Sequence, residues 1–145
     1  MIINRLDKLR DQFIRYNIDG YVVPKNDEFF SEYSNKDRLK IISNFTGSAG
    51  YAVILKKKSF LFVDGRYSIQ AKIESGENFK ILDYEKIINT SIFKNLNLGI
   101  DPTLFTSNQI KKFFLKNNKV TSIGKNLIDK IYKFKNMKKI PFYTL

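Results

Sequence analysis

The side chains that could do chemistry in this 145-residue sequence are carboxylates, lysines, arginines and hydroxyls, because the chain contains no His and no Cys. A hydrolase needs a nucleophile and a base within reach of each other, and His and Cys often fill these roles. The 14 Asp and Glu residues are scattered, with no spacing typical of a metal cluster. The sequence therefore predicts no catalytic, cofactor-binding or metal-binding residue, and no hydrolase activity in this chain alone.

The segment Asp64-Gly65-Arg66-Tyr67 joins an acid, a flexible residue, a guanidinium and an aromatic ring. In a structural interpretation Asp64 caps the next helix, Gly65 permits the turn and Tyr67 packs. Arg66 would then pair with a carboxylate such as Glu32. In a functional interpretation the Arg66 side chain protrudes from the surface and binds a peptide carboxylate. The planar guanidinium suits this role because it can form two hydrogen bonds to one carboxylate. A third possibility is packing within an interface, and the sequence leaves all three open.

The segment Ser31-Glu32-Tyr33 allows a similar choice. Glu32 with a charged partner and Tyr33 in the core is the structural interpretation. The functional interpretation places both at the rim of a substrate cleft. Phe29 and Phe30, just before them, are predicted to be core residues rather than a platform for a ligand.

Small residues occupy Gly47-Ser48-Ala49-Gly50, between Phe45 and an apolar run. Such a loop lets the backbone turn tightly or lets another surface approach closely. It lacks the Gly-Lys-[Ser/Thr] ending of a phosphate loop and precedes a predicted strand instead of a helix. Nucleotide binding is therefore not favoured, and Gly47 and Ser48 remain candidates for close contact with a partner.

The net charge of +12 raises the possibility of a nucleic-acid or acidic partner. Lysine supplies 21 of the 26 basic residues, and Ile and Asn are also abundant, so AT-rich codons explain the bias equally well. The densest part, residues 116–139, contains eight Lys and no Arg, and lacks the Arg with interleaved aromatics typical of polyanion sites. We interpret it as a solvated surface, and keep a basic binding module as the alternative function.

The elements that must position these residues alternate between helices and strands. Asn4 is predicted to cap a first helix, with Asp7 completing a capping box and an apolar stripe comprising Ile3, Leu6, Leu9, Phe13 and Tyr16. Strands are predicted at Tyr21–Val23, Tyr51–Leu55, Phe60–Val63, Phe79–Leu82, Leu96–Ile100 and Val120–Ile123. Further helices are predicted at Asp37–Asn44, from Tyr67 to Gly76, at Tyr84–Phe93, after a Ser107 cap, and at Leu127–Tyr132. Lys56 to Ser59 form the polar tip of a hairpin. This order predicts an α/β fold, a mixed β-sheet with a central hairpin flanked by helices.

Length and composition fit one domain, since 145 residues can bury roughly two-thirds of their unfolded surface. No run approaches the ~20 apolar residues of a membrane span, and the first ten residues lack the apolar core of a signal peptide. The absence of Cys is compatible with a reducing compartment. We expect a cytoplasmic protein.

Six short motifs in order resemble the amino-terminal domain of Xaa-Pro aminopeptidases, in the creatinase, prolidase and aminopeptidase P family. They are Tyr21-Val22-Val23-Pro24, Ser31-Glu32-Tyr33, Phe45-Thr46-Gly47-Ser48-Ala49-Gly50, Asp64-Gly65-Arg66-Tyr67 and, extending toward the end, Gly99-Ile100-Asp101-Pro102 with Asn126-Leu127-Ile128-Asp129. Family members often carry a His just before Ser-Glu-Tyr, where this chain has Phe29 and Phe30. No role of that His can be transferred.

The resemblance implies a creatinase amino-terminal, ribonuclease H-like fold over residues 1–139, with residues 140–145 starting a linker. It implies that the catalytic domain of the parent, with two divalent metals, Mn or Zn, follows this domain. The chain would then be a non-catalytic domain that aids dimer assembly and substrate access, with that metallopeptidase domain and a second copy as its partners. The residues that the resemblance places at an interface or substrate-access surface are Ser31, Glu32, Tyr33, Gly47, Ser48, Asp64, Arg66 and Tyr67.

Overall fold

A mixed six-stranded sheet forms the centre of the molecule. The computed structural model describes residues 2–25, 37–86, 94–114 and 117–132. The strands are β1 (Gly20–Pro24), β2 (Tyr51–Leu55), β3 (Ser59–Val63), β4 (Lys80–Asp83), β5 (Asn97–Ile100) and β6 (Lys119–Ser122), in the spatial order β4-β3-β2-β1-β5-β6. The predicted mixed sheet is confirmed, and all six predicted strands are present, with boundaries that differ by at most one residue.

Only β2 runs against the other strands. It pairs antiparallel with both β1 and β3, whereas β3–β4, β1–β5 and β5–β6 are parallel pairs. Val53 lies opposite Val22 on one side and Phe60 on the other, which fixes the register of the three central strands. Pro24 ends β1, as expected for a residue that cannot donate a backbone hydrogen bond.

Both faces of the sheet are buried, which explains why the central strands are almost continuously apolar. The helices are α1 (Ile2–Arg10), α2 (Phe13–Tyr16), α3 (Arg38–Ser43), α4 (Ser68–Ser75), α5 (Ser107–Phe113) and α6 (Leu127–Ile131). One core layer joins the sheet to α1, α2, α3, α4 and α6, for example through Leu9, Leu39 and Leu127. The other layer joins the opposite face to Leu104, Phe105 and Phe114 near α5.

Helix starts account for two errors in the sequence interpretation. Asn4 lies inside α1 and caps nothing, since the helix already begins at Ile2. Thr106, and not Ser107, caps α5, because its side chain accepts from Gln109 N while the Gln109 side chain bonds back to Thr106 N. The helix predicted at Asp37–Asn44 is present as α3, and Asp37 caps it, because its side chain accepts from Lys40 N.

Two helices leave apolar residues exposed. Ile3 is 50% exposed, and the first helix is interrupted between Arg10 and Phe13, so only part of the predicted stripe is buried. On α4, Ile69 and Ile73 are 74% and 80% exposed, and only Ala71 and Ser75 are buried. Apolar type alone therefore did not identify the inner face of α4.

The predicted helix at Tyr84–Phe93 lies largely outside the described residues. Within the described part of the chain, no helix is long and apolar enough to cross a membrane.

Candidate functional site

The strand directions bring most of the motifs to one edge of the sheet. Because β1, β3, β4, β5 and β6 share one direction, their carboxyl ends lie on the same side, and β2 begins there. We call this side the carboxyl edge. It carries the loop Phe45–Gly50 before β2, the segment Asp64–Tyr67 after β3, and Asp101 after β5. Ligand sites of α/β proteins commonly lie beyond the carboxyl ends of strands.

The small-residue loop is shaped by close packing inside this chain. No described glycine has a positive φ, so the possibility of a backbone conformation reserved for glycine is wrong here. A Cβ atom added to Gly47 would lie 2.2 Å from Cζ of Phe45, whose side chain is fully buried. The surface that approaches Gly47 is thus the ring of Phe45, two residues earlier. Ser48 and Ala49 remain exposed at the loop tip.

Glu74 of α4 holds the loop in place. Its carboxylate accepts from Thr46 N at 2.9 Å and from Thr46 Oγ1 at 2.7 Å, and Gln70 Nε2 donates to Thr46 Oγ1 at 2.9 Å. Partial burial raises the pKa of Glu74, but hydrogen bonds from Thr46 and Gln70, and the charge of Lys25, outweigh it and lower the pKa. Sequence reasoning missed Glu74, because 28 residues separate it from Thr46 and no local motif links them.

The turn after β3 is organised by Asp64. Its carboxylate accepts from Arg66 N at 2.9 Å and caps the short 3₁₀ turn Gly65–Tyr67, which confirms the predicted capping role. This backbone hydrogen bond, helped by the Arg66 side chain, lowers the pKa of Asp64. Gly65 has no positive φ, and a Cβ atom there would meet nothing within 4 Å. The turn therefore does not require glycine at this position.

Arg66 points away from the core. Its side chain is 79% exposed, Nε lies 3.3 Å from Asp64 Oδ1, and the guanidinium lies 5.6 Å from the ring centroid of Tyr67. Tyr67 is half-buried, its ring meets that of Phe45 edge-on at 6.1 Å, and its hydroxyl lies 2.8 Å from Ser48 Oγ. The loop Phe45–Gly50 and the segment Asp64–Tyr67 therefore form one continuous surface. On this surface the guanidinium of Arg66 is exposed, and Asp64 and Tyr67 orient it.

The remaining predicted residues, Ser31, Glu32 and Tyr33, lie outside the described residues. The structure thus brings together five of the eight predicted site residues, namely Gly47, Ser48, Asp64, Arg66 and Tyr67. The carboxylate that the described structure gives Arg66 is the neighbouring Asp64.

The last two motifs serve the fold. Asn126 caps α6 and donates through Nδ2 to Asp101 Oδ2 at 3.0 Å, so the two motifs hold each other. Tyr21, from the first motif, accepts from Leu127 N through its hydroxyl, and burial raises the pKa of that hydroxyl. Asp129 receives a bidentate pair from Arg38, with Nε–Oδ1 at 2.8 Å and Nη2–Oδ2 at 2.9 Å. Arg38 is 2% exposed, and sequence reasoning missed it.

The described side chains at the carboxyl edge bond mainly to one another. Among the described residues no group of three or more His, Cys, Asp or Glu could hold a metal ion, so the residues present do not fit a dinuclear metal centre. The polar groups at Thr46 and Glu74 satisfy each other, and Ser48 and Tyr67 likewise share a hydrogen bond. Arg66 and its partner Asp64 are the exposed charged side chains that this surface presents, and Arg66 is the more exposed of the two.

Comparison with known proteins agrees with this fold. Residues 5–131 match the model of the creatinase/prolidase N-terminal domain. The chain is 32% identical over 142 residues to a probable Xaa-Pro aminopeptidase P of Laccaria bicolor, covering 88% of this chain and 22% of that protein. It also superimposes on the X-prolyl aminopeptidase of Caenorhabditis elegans, a cytosolic enzyme with a di-nuclear active site, with a TM-score of 0.80 and 25% identity over 94% of this chain and 26% of that one.

A shorter structure shows the same fold. The N-terminal domain of the cytoplasmic peptidase PepQ from Mycobacterium tuberculosis gives a TM-score of 0.68 at 18% identity, and the match covers 89% of this chain and 98% of that domain. The fold defines a mixed α/β domain of the kind found at the N-terminus of creatinases and prolidases. The chain belongs to the creatinase/prolidase N-terminal domain family. It spans 22% of the Laccaria bicolor protein and 26% of the Caenorhabditis elegans enzyme.

Proposed function

We propose that this chain is the non-catalytic N-terminal domain of a cytoplasmic Xaa-Pro aminopeptidase. In this proposal the parent protein also contains a metallopeptidase domain with two divalent metals, which would supply the hydrolytic chemistry. The similarity to Xaa-Pro aminopeptidases over 88% of this chain supports the parent activity. The domain itself contributes contacts and not catalysis.

The surface formed by Gly47, Ser48, Asp64, Arg66 and Tyr67 contacts the metallopeptidase domain of the same or a second subunit, and aids dimer assembly and substrate access. The observation that carries this proposal is the state of Arg66, which is 79% exposed yet oriented by Asp64 and Tyr67. An arginine oriented in this way loses less side-chain entropy when it binds a carboxylate, on a neighbouring domain or on a peptide substrate.

Replacement of Arg66 in the parent polypeptide tests this role. Arg66→Ala should lower turnover of a Xaa-Pro peptide or weaken the dimer, because it removes a charged group from a contact that becomes desolvated. Arg15→Ala is the matched control, since Arg15 is also exposed but lies on α2, away from the carboxyl edge. Turnover and sizing by chromatography should change with the first substitution and stay unchanged with the second. Equal values for both variants would reject the proposed contact.

The same substitution in the 145-residue chain distinguishes the structural interpretation of Arg66 from the proposed contact. Because Arg66 is exposed, Arg66→Ala should leave the unfolding free energy within about 0.5 kcal/mol of the unsubstituted chain. A large loss of stability in the isolated chain would mean that Arg66 supports the fold, and the contact proposal for this residue would be abandoned.

A further inference from the structure

A second surface lies at the opposite side of the sheet from the carboxyl edge. It is a groove at the amino ends of β3 and β4, bounded by α1, the β2–β3 turn and the chain before β4. None of the motifs described above contributes to it. We call it the α1 groove.

Arg10 forms the fixed part of this groove. Its Nε donates to the carbonyl of Leu55 and its Nη2 donates to Ser59 Oγ, both at 2.8 Å, which ties the guanidinium to both ends of the hairpin turn. Burial lowers the pKa of Arg10, and the charge of Asp7 opposes that change. Within the described part of the chain Arg10 forms no ion pair, and neither of its two side-chain hydrogen bonds uses Nη1.

Three lysines extend the positive charge around Arg10. Lys57 and Lys58 come from the hairpin turn and Lys80 from β4, and all three are exposed. None of these lysines has an ion-pair partner among the described residues, and Glu77 is the one acidic residue in the groove lining. Like charges held close together repel each other, so an anion bound among them would relieve an existing electrostatic cost.

The groove also has an apolar wall. Ile3 is 50% exposed at its rim, with Leu6 and Phe60 buried behind it. An occupant that fits both features has carboxylates near the four cations and an apolar side chain over Ile3.

We propose that the α1 groove binds an acidic peptide segment of another polypeptide, with its carboxylates on Arg10, Lys57, Lys58 and Lys80 and an apolar side chain against Ile3. The half-buried Arg10 supplies a positive charge that its contacts with the hairpin hold in place, and its Nη1 group can donate to a carboxylate. A nucleic acid fits less well. Phe60 is the aromatic residue of the lining and it is buried, so the groove offers no ring on which a base could stack.

Fluorescence anisotropy with the 145-residue chain tests the proposal. The probe is a fluorescein-labelled synthetic peptide of glutamates around one central leucine. Binding should be measurable at low salt and should weaken as salt rises, because the attraction is between partly exposed charges. The variant Lys57→Glu/Lys58→Glu should lower the affinity by about tenfold or more, while Arg10 keeps its contacts with the hairpin.

The matched control is Lys111→Glu/Lys125→Glu, which changes the net charge equally at two exposed lysines outside the groove. It should lower the affinity by less than about threefold. Replacement of the central leucine by serine in the probe should also weaken binding, because it removes the contact with Ile3.

Several results would overturn the proposal. They are no binding of the peptide at low salt, equal losses in the two double variants, or tighter binding of a single-stranded oligonucleotide of the same charge. None of these outcomes depends on the proposed role of Arg66, which lies at the other edge of the sheet.

Discussion

Replacement of Gly47 by alanine tests the packing of the loop at the carboxyl edge. A Cβ atom at Gly47 would lie 2.2 Å from Cζ and 2.8 Å from Cε2 of Phe45, far inside contact distance. The ring cannot easily move, because Phe45 is fully buried and packs edge-on against Tyr67. Gly50 is the internal comparison, since a Cβ atom there would meet its nearest neighbour, the carbonyl oxygen of Phe62, at 3.1 Å.

Two opposing effects set the magnitude. Overpacking of a buried site costs about 1–3 kcal/mol. Gly→Ala at an ordinary φ stabilises by about 0.4–1 kcal/mol, because it restricts the unfolded chain. Gly47→Ala should therefore lower the unfolding free energy by about 1–2 kcal/mol, whereas Gly50→Ala should change it by less than about 0.5 kcal/mol.

Urea unfolding of the 145-residue chain measures both values. The collision itself is tested in a Phe45→Leu background, where the smaller side chain leaves room for the new Cβ atom. There Gly47→Ala should cost less than in the original chain, by about 1 kcal/mol of coupling energy. If Gly47→Ala is as harmless as Gly50→Ala, or costs the same in both backgrounds, the explanation from Phe45 is refuted.

Three further predictions concern stability, pH and activity. Asp129→Asn should lower the unfolding free energy, measured in urea melts, by about 2–3 kcal/mol, because it removes the partner of the buried Arg38. This loss is somewhat smaller than for a fully buried pair, since Asp129 is 37% exposed. A loss below about 0.5 kcal/mol would show that the pair contributes little. The lowered pKa of Glu74 means that its stabilising effect is complete above the unfolded value of about 4.5 and is lost as the pH falls through the lower folded value. Unfolding curves against pH should therefore show a shallower acid loss for Glu74→Gln than for the original chain, and parallel curves would contradict this assignment. Finally, the 145-residue chain with added Mn²⁺ or Zn²⁺ should release no amino acid from a Xaa-Pro peptide, since it has no His and no Cys. Time-dependent release of the amino acid would contradict the proposal that this chain is non-catalytic.

The sheet was predictable from the sequence because its strands are short apolar runs separated by clear turn residues. Tyr51 to Leu55 and Phe60 to Val63 flank three lysines, and this pattern fits a hairpin with little ambiguity. The cap at Asp64 was predictable for the same reason, since it depends on residues that are adjacent in sequence.

Features that depend on distant contacts could not be predicted. Arg38 and Asp129 are 91 positions apart, and nothing near either residue indicates that Arg38 is buried. The burial of α4 depends on how the helix lies on the sheet, so the sequence could not show that Ile69 and Ile73 face outward. The role of Gly47 was also hidden, because a small residue that fits a buried ring and one that permits an unusual backbone have the same sequence pattern.

The central proposal is that the carboxyl edge contacts a metallopeptidase domain, and amide hydrogen exchange tests it most directly. Exchange would be compared between the isolated 145-residue chain and the same residues within the parent polypeptide. The proposal predicts slower exchange in the parent for residues 45–50 and 64–67, with unchanged exchange for the control helix Ser107–Phe113 on the other core layer. Identical exchange of residues 45–50 and 64–67 in the two proteins would contradict it.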